Sequence, residues 1–299
     1  MGQKEILSPM VNKSNCIPHY EIHIMKVAIV IPTYNERNNI FKLIELTRNY
    51  LTESGNEPYF VVVDDSSPDG TADVVKDMAR RGKDVHLILR PMKMGLGSAY
   101  TDAFRWIVDN LPSADVVVQM DADLSHPPEQ VQKMLNAISG GADFVIASRY
   151  VGMGGGVDSW PLRRRLISKG ANILARLFLG IKIKDVTSGF RAIKIDVIRV
   201  LLASNLSSKG YEYQVETAYA VSRLDKGGGR KNNSEGAVVV EVPFVFRNRA
   251  YGQSKLTMKE ILRFIKIVVL LRMNALLDQL TEEKEEIPRI LNRLEQERR

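Results

Sequence analysis

Residues 26–36 read KVAIVIPTYNE. The first six, Lys26–Ile31, form a short apolar run rich in β-branched side chains. Such a run predicts a buried strand. Pro32 to Glu36 turn polar and lead into a helical pattern from about Glu36 to Leu51. The same unit repeats outward from there. Tyr59–Asp64 (YFVVVD) predicts a second strand, with a helix ending near Arg81. Val85–Leu89 predicts a third strand, with a helix ending near Asn110. Asp115–Met120 and Asp143–Ala147 predict a fourth and a fifth. Strands alternating with helices predict an α/β fold: a mostly parallel, Rossmann-like sheet with flanking helices. Such sheets bind ligands at the carboxyl ends of their strands.

Those ends are polar and acidic. Strand one ends in Pro32-Thr33-Tyr34-Asn35-Glu36, and strand two in Asp64-Asp65-Ser66-Ser67-Pro68-Asp69-Gly70-Thr71. Strand four ends in Asp121-Ala122-Asp123. Two carboxylates one residue apart can hold a hard divalent cation, Mg²⁺ or Mn²⁺, and its diphosphate ligand. Tyr34 can cover a base, and Asp65 can accept from base N–H groups. Together they suit a nucleotide diphosphate. Asp69 reads as a turn or cap residue. Lys93-Met94-Gly95-Leu96-Gly97 opens a helix, which suits either an anion or close backbone packing.

After Tyr150 the pattern changes. Gly152–Gly156 predicts a loop, 162–179 an amphipathic helix, Asp185–Arg191 another loop and Ala237–Phe246 a late strand. Residues 257–272 predict a second amphipathic helix, with Lys259, Arg263 and Lys266 on one stripe. In the tail, Leu280, Ile287 and Leu294 are spaced by seven, interrupted by Pro288. The chain carries +7 overall, concentrated in two stretches. Residues 162–182 hold six bases and no acid; residues 247–272 hold seven bases and one acid. These bases interleave with aliphatic rather than aromatic residues. That favours an anionic membrane surface or a lipid phosphate over nucleic acid. The purest apolar run, Ile267–Leu271, is too short to cross a bilayer. The single cysteine, Cys16, excludes an intramolecular disulfide framework and a cysteine-based zinc site.

The motifs PTYNE, DDSSPDGT, K-x-G-L-G, DADLSHPPE, ASRY, WPLRRRLISKGAN, DVTSGFR and RAYGQSKL follow one another in this order. In that order the chain resembles family 2 glycosyltransferases of the GT-A fold, and more narrowly the dolichol- or polyprenol-phosphate mannosyltransferases. The resemblance covers about residues 25–270. It places a catalytic domain over 25–256; the polar, proline-broken residues 1–24 predict a poorly ordered N-terminal extension, and 257–299 an interface helix with a helical tail. It also implies roles. Pro32, Tyr34, Glu36, Val63 and Asp65 would line the nucleotide pocket. Asp121, Ala122 and Asp123 would meet ribose, diphosphate and metal, with Ser125 standing where relatives often carry a glutamine ligand. Arg149 would reach a donor or acceptor phosphate. Arg163 and Arg164 would hold the lipid phosphate, and Arg249 and Lys255 would close over the donor diphosphate.

The implied reaction is transfer of mannose from GDP-mannose to a polyprenyl or dolichyl monophosphate, with inversion. A phosphate monoester is already anionic at neutral pH, its second pKa lying near 6. Its attack therefore needs no general base. The expected setting is the cytoplasmic face of a membrane, with docking through the amphipathic helices or through a membrane-anchoring protein partner. A UDP-sugar transferase acting on the same lipid fits the loops equally. A sugar nucleotidyltransferase fits less well, because PTYNE stands where its Gly-rich loop belongs. A non-catalytic membrane-surface protein would leave Asp121 and Asp123 without a task.

Overall fold

The computed structural model describes residues 24–297 except 159, 205, 225–235 and 248–257; for 259 and 281–297 it describes the backbone alone. Four strands, β1 (Lys26–Thr33), β2 (Glu57–Asp64), β3 (Val85–Leu89) and β4 (Val116–Gln119), are parallel and lie in the order β3-β2-β1-β4. Next to β4 comes β7 (Arg191–Lys194), antiparallel to it and to β5 (Phe144–Ser148). The far edge is β8 (Val239–Pro243), parallel to β5. Two short strands, β6 (Gly156–Val157) and β9 (Val245–Phe246), pair separately.

Alternation along the strands makes two cores. Val27, Ile29 and Ile31 of β1, with Phe60 and Val62 of β2, face one side. Ala28, Val30, Val61 and Val63 face the other. The first side is covered by α1 (Arg37–Glu53), α2 (Thr71–Arg81) and α4 (Glu129–Ser139). The second is covered by α3 (Leu96–Asn110), α5 (Leu162–Leu179), α6 (Ile195–Ala203), α7 (Tyr213–Arg223) and part of α8 (Met258–Glu297). Both faces being covered explains why the central strands are continuous apolar runs.

The first five strands stand where the sequence puts them. The second half differs. The Asp185–Arg191 loop ends one residue early, because Arg191 opens β7. The late strand Ala237–Phe246 breaks at Phe244, whose side chain turns into the core while its N–H bonds the Ser148 carbonyl at 3.1 Å. Gly156, read as loop, pairs with Val245 in the small sheet. The helix predicted over 257–272 continues to Glu297, through Pro288. No helix among the described residues is long and apolar enough to cross a membrane. Residues 1–23 of the N-terminal extension lie outside the described residues.

Candidate active site

The loops after β1, β2 and β4 meet on one edge of the sheet, and each holds a non-glycine residue at positive φ: Asn35 (62°), Ser66 (53°) and Leu124 (63°). This conformation costs roughly 1–2 kcal/mol per residue, so the surroundings must impose it. Around Leu124 the cause is visible. Ser125 donates to Asp123 Oδ1 from both N (3.0 Å) and Oγ (2.5 Å). The Asp121 N–H donates to His126 Nδ1 at 3.0 Å. His126 itself is buried and stacked on Phe190, 4.6 Å between centroids. The DAD loop is thus pinned on both sides of its two carboxylates.

A cavity of about 850 Å³ opens above these loops. Pro32, Tyr34, Glu36, Asp65, Asp121, Ala122 and Asp123 all line it. Val63 does not; it is buried in the core beneath. Ser125 does not either: fully buried, it stands behind Asp123 and directs that carboxylate. Asp65 Oδ1 accepts from Arg90 Nε at 2.6 Å. Burial holds the Asp65 carboxyl above its usual range, against the pull of Arg90. Lys93 Nζ lies 4.5 Å from the centre of the Tyr34 ring, a cation–π contact at the wall of the cavity. Asp69 forms an Asx turn just before α2, accepting from Thr71 N and Oγ1 at 3.0 and 2.6 Å.

The two glycines of the K-x-G-L-G loop serve packing. A Cβ on Gly95 would lie 2.3 Å from the Lys209 carbonyl oxygen, and one on Gly97 would lie 2.5 Å from that of Ser208. This close approach brings Lys209, Gly210 and Tyr211 over the cavity as its far wall.

A second, narrower cavity of about 230 Å³ adjoins the first, and Asp121, Leu96, Tyr211 and Glu260 line both. Its walls include Trp160, Ile167, Val215, Ile261 and Phe264, with Arg149, Arg164, Ser168 and Thr187 among its polar groups, beside Asp121, Ser188, Gln214 and Glu260. Arg149 pairs with the fully buried Asp185 through Nη2 at 2.6 Å and donates to Thr187 Oγ1 at 2.8 Å. Burial would lower the Arg149 guanidinium; the Asp185 carboxylate outweighs it and raises it. Arg164 stacks on Trp160 at 3.8 Å. Arg163, its neighbour, is exposed on α5 and lines neither cavity. Arg249 and Lys255 lie outside the described residues.

Several lining residues had no role in the sequence reading. Arg90 and Lys93 follow β3 as the acids follow β1, β2 and β4, and that position is the signal for them. Ser168 and Thr187 sit inside WPLRRRLISKGAN and DVTSGFR, where helical spacing from Arg164 marks Ser168. Arg263, read as part of a membrane-facing stripe, lines the larger cavity instead. Lys209 and Tyr211 carry no sequence signal.

The family model for glycosyl transferase family 2 matches residues 28–202. The chain belongs to this family. Within it, the chain is 39% identical over 233 residues to the undecaprenyl-phosphate mannosyltransferase of Micrococcus luteus, covering 78% of this chain and 88% of that one. It is also 39% identical over 233 residues to the polyprenol monophosphomannose synthase of Mycolicibacterium smegmatis, covering 78% and 81%. Identity to the dolichol-phosphate mannosyltransferase of Pyrococcus furiosus is 41% over 244 residues, 81% of this chain but 62% of that longer protein. Among solved structures, mannosyl-3-phosphoglycerate synthase from Rubrobacter xylanophilus superposes with a TM-score of 0.57 at 20% identity, covering 86% of this chain and 75% of that one. Glucosyl-3-phosphoglycerate synthase from Mycobacterium tuberculosis, in complex with Mn²⁺ and UDP, gives 0.54 at 18%, covering 84% and 79%. At these identities the structural likeness establishes the fold. As a family 2 member the chain is a glycosyltransferase with a GT-A-type sheet.

Asp121 and Asp123 fit the divalent cation expected of such an enzyme, since both present hard oxygens to the larger cavity. Among the described residues no three His, Cys, Asp or Glu converge as a metal cage. A cation here would therefore take the rest of its shell from diphosphate and water, the usual habit of Mg²⁺.

Proposed function

We propose that the chain transfers mannose from GDP-mannose to a polyprenyl or dolichyl monophosphate, inverting the anomeric centre. The observation that carries this reading is the meeting of two unlike cavities at Asp121. The larger mixes polar and apolar walls, carries Glu36, Asp65, Asp121 and Asp123, and is large enough for a sugar nucleotide. The smaller is apolar-walled, with Arg149 and Arg164 as its cations and Ser168 and Thr187 among its hydroxyls. The mannosyltransferase names of the relatives support the sugar and the lipid.

In the larger cavity Tyr34, with Lys93 over its ring, lies against the base, and Asp65, held by Arg90, accepts from its N–H groups. Asp121 and Asp123 hold Mg²⁺ or Mn²⁺, which when bound neutralises diphosphate charge and so eases departure of the nucleotide. Arg249 and Lys255 serve the same leaving group. In the smaller cavity Arg149 and Arg164 orient the acceptor phosphate, with Ser168 and Thr187 as hydrogen-bonding partners. The phosphate oxygen is already an anion, so positioning and charge neutralisation carry the rate. Displacement from the face opposite the diphosphate inverts the centre, giving a β-mannosyl phosphate.

The acceptor's tail stays in a bilayer, so the enzyme docks peripherally, on the cytoplasmic face where sugar nucleotides are made. Leu162, Leu166 and Leu177 on α5, with Leu262, Ile265 and Met273 on α8, offer exposed apolar side chains for this. A membrane-anchoring protein partner is the other means of recruitment. The deciding assay is a donor panel. GDP-mannose, GDP-glucose, UDP-glucose and UDP-N-acetylglucosamine are each offered with a polyprenyl phosphate and either Mg²⁺ or Mn²⁺. GDP-mannose should give the highest kcat/KM and a β-linked product by NMR. Preference for a UDP donor would overturn the reading.

A further inference from the structure

Helix α5 has a second groove on its other side. A cavity of about 400 Å³ lies between α5 and the glycine-rich segment, lined by Gly152, Gly155 and Gly156 and by five cationic side chains. These are Arg149, Arg165, Lys169, Arg176 and Lys184, and the lining contains no carboxylate. Arg149 is neutralised by Asp185, whose oxygens it occupies. The other four have no such acid in the groove. Arg176 Nε is buried and has no hydrogen-bond partner among the described residues. The Arg176 guanidinium also lines the groove, where an anion would meet it together with the neighbouring cations.

The surroundings identify the anion's source. Arg165, Lys169 and Arg176 are spaced by four and seven residues, so they form one stripe of α5. Leu162, Leu166, Ile173 and Leu177 recur at the same spacing on the adjacent stripe, and all four are exposed. Met153, at the tip of the opposite wall, is fully exposed as well. A basic groove edged by exposed aliphatic side chains matches a molecule with an anionic head and apolar chains.

We propose that this groove holds the phosphate headgroup of an anionic membrane phospholipid, distinct from the acceptor lipid, and so sets the enzyme's orientation on the bilayer. The inference rests on the peripheral-docking reading above. Its chemistry is charge-assisted hydrogen bonding to phosphate, with the acyl chains against the leucine stripe.

The test is co-sedimentation with vesicles of phosphatidylcholine alone or mixed with phosphatidylglycerol, using two charge-matched double variants. Lys169→Gln/Arg176→Gln empties the groove; Lys266→Gln/Arg272→Gln removes equal charge from α8. Wild type should gain affinity from phosphatidylglycerol. The groove variant should lose that gain, a drop of roughly tenfold or more, while the α8 variant keeps most of it. Turnover of a short, water-soluble acceptor should be unchanged in the groove variant, which also reports its folding. Should Arg176 prove necessary for folding, Lys169→Gln/Lys184→Gln probes the groove from two exposed positions. Equal losses in the two doubles would mean diffuse attraction and overturn the groove while leaving peripheral docking intact. Wild type that stays in the supernatant with every vesicle would overturn the docking reading, and the groove with it.

Discussion

Arg149 and Asp185 form a two-pronged ion pair, Nε to Oδ2 at 2.8 Å and Nη2 to Oδ1 at 2.6 Å, with Asp185 fully buried. Asp185 Oδ2 also accepts the Arg149 backbone N–H at 2.9 Å. The pair ties the end of β5 to the loop before β7, and Thr187 from that loop lines the same small cavity. Removing the acid strands a buried guanidinium. Asp185→Ala should therefore cost about 3–5 kcal/mol of stability, measurable by chemical denaturation. It should also raise the acceptor KM more than the donor KM, since Arg149 loses its orientation. A variant as stable as wild type would show that the pair is solvated.

Asp123 is held from behind by Ser125 and faces the larger cavity. Asp123→Asn keeps the size and removes the charge. Turnover should fall at least about 100-fold, equivalent to roughly 2.7 kcal/mol in the barrier. Chelation of divalent ions should do the same to wild type and add little further loss in the variant. Near-normal turnover with unchanged metal dependence would remove Asp123 from the cation site.

Gly97 sits where a side chain has no room, its virtual Cβ 2.5 Å from the Ser208 carbonyl oxygen and 2.8 Å from Tyr213 Cβ. Both neighbours are buried, so neither moves cheaply. Gly97→Ala should destabilise the fold by about 1–3 kcal/mol. Because residues 207 and 209–212 wall the larger cavity, donor affinity should fall with it, read by calorimetry with GDP.

His86 stacks on Trp106 with 3.9 Å between ring centroids, and burial lowers its pKa below 6.5. The unfolded chain thus takes up a proton more readily than the folded one. This contribution to stability is present above about pH 6.5 and is lost as pH falls through the lower folded value. His86→Phe keeps the stack and removes the titration. Thermal unfolding should show a smaller loss between about pH 7 and pH 5 in the variant than in wild type. Identical losses would place the acid sensitivity elsewhere.

The parallel half of the sheet and its acidic edge were legible because burial on both faces leaves strong apolar runs, and ligand loops interrupt them with charge. The DAD carboxylates, Tyr34 and Asp65 follow directly from that punctuation. The later elements were not legible for the opposite reason. β7 is four residues long and opens with Arg191, which is wholly buried, bonded to carbonyls of Val186, Ser188 and Gln214, and lowered by that burial to a pKa of about 10. A strand that begins with a buried cation looks like a loop in sequence. Ser125 illustrates a second limit: the family resemblance marks it as a ligand, while the backbone turn at Leu124 places it behind the carboxylate it supports. Likewise three adjacent arginines point about 100° apart on a helix, and sequence alone does not say which faces inward.

That last ambiguity yields the sharpest kinetic contrast. Arg164 lines the small cavity and lies over the Trp160 ring, which is itself buried against Phe246 at 5.2 Å. Arg163, one residue earlier, is exposed and lines neither cavity. An arginine fixed by stacking meets a phosphate with little ordering cost, whereas an exposed one is screened by solvent and salt. Arg164→Ala should therefore raise the KM for polyprenyl phosphate at least about tenfold, the scale of one charge-assisted hydrogen bond, with the GDP-mannose KM nearly unchanged. Arg163→Ala should change either constant less than about threefold and leave the short-acceptor reaction untouched. Arg164→Lys is the control for charge alone: it keeps the cation but loses the planar stack, so only partial recovery is expected. If Arg163→Ala proves the more damaging of the two, the acceptor phosphate approaches from the outer face of α5 and the small cavity is not its seat.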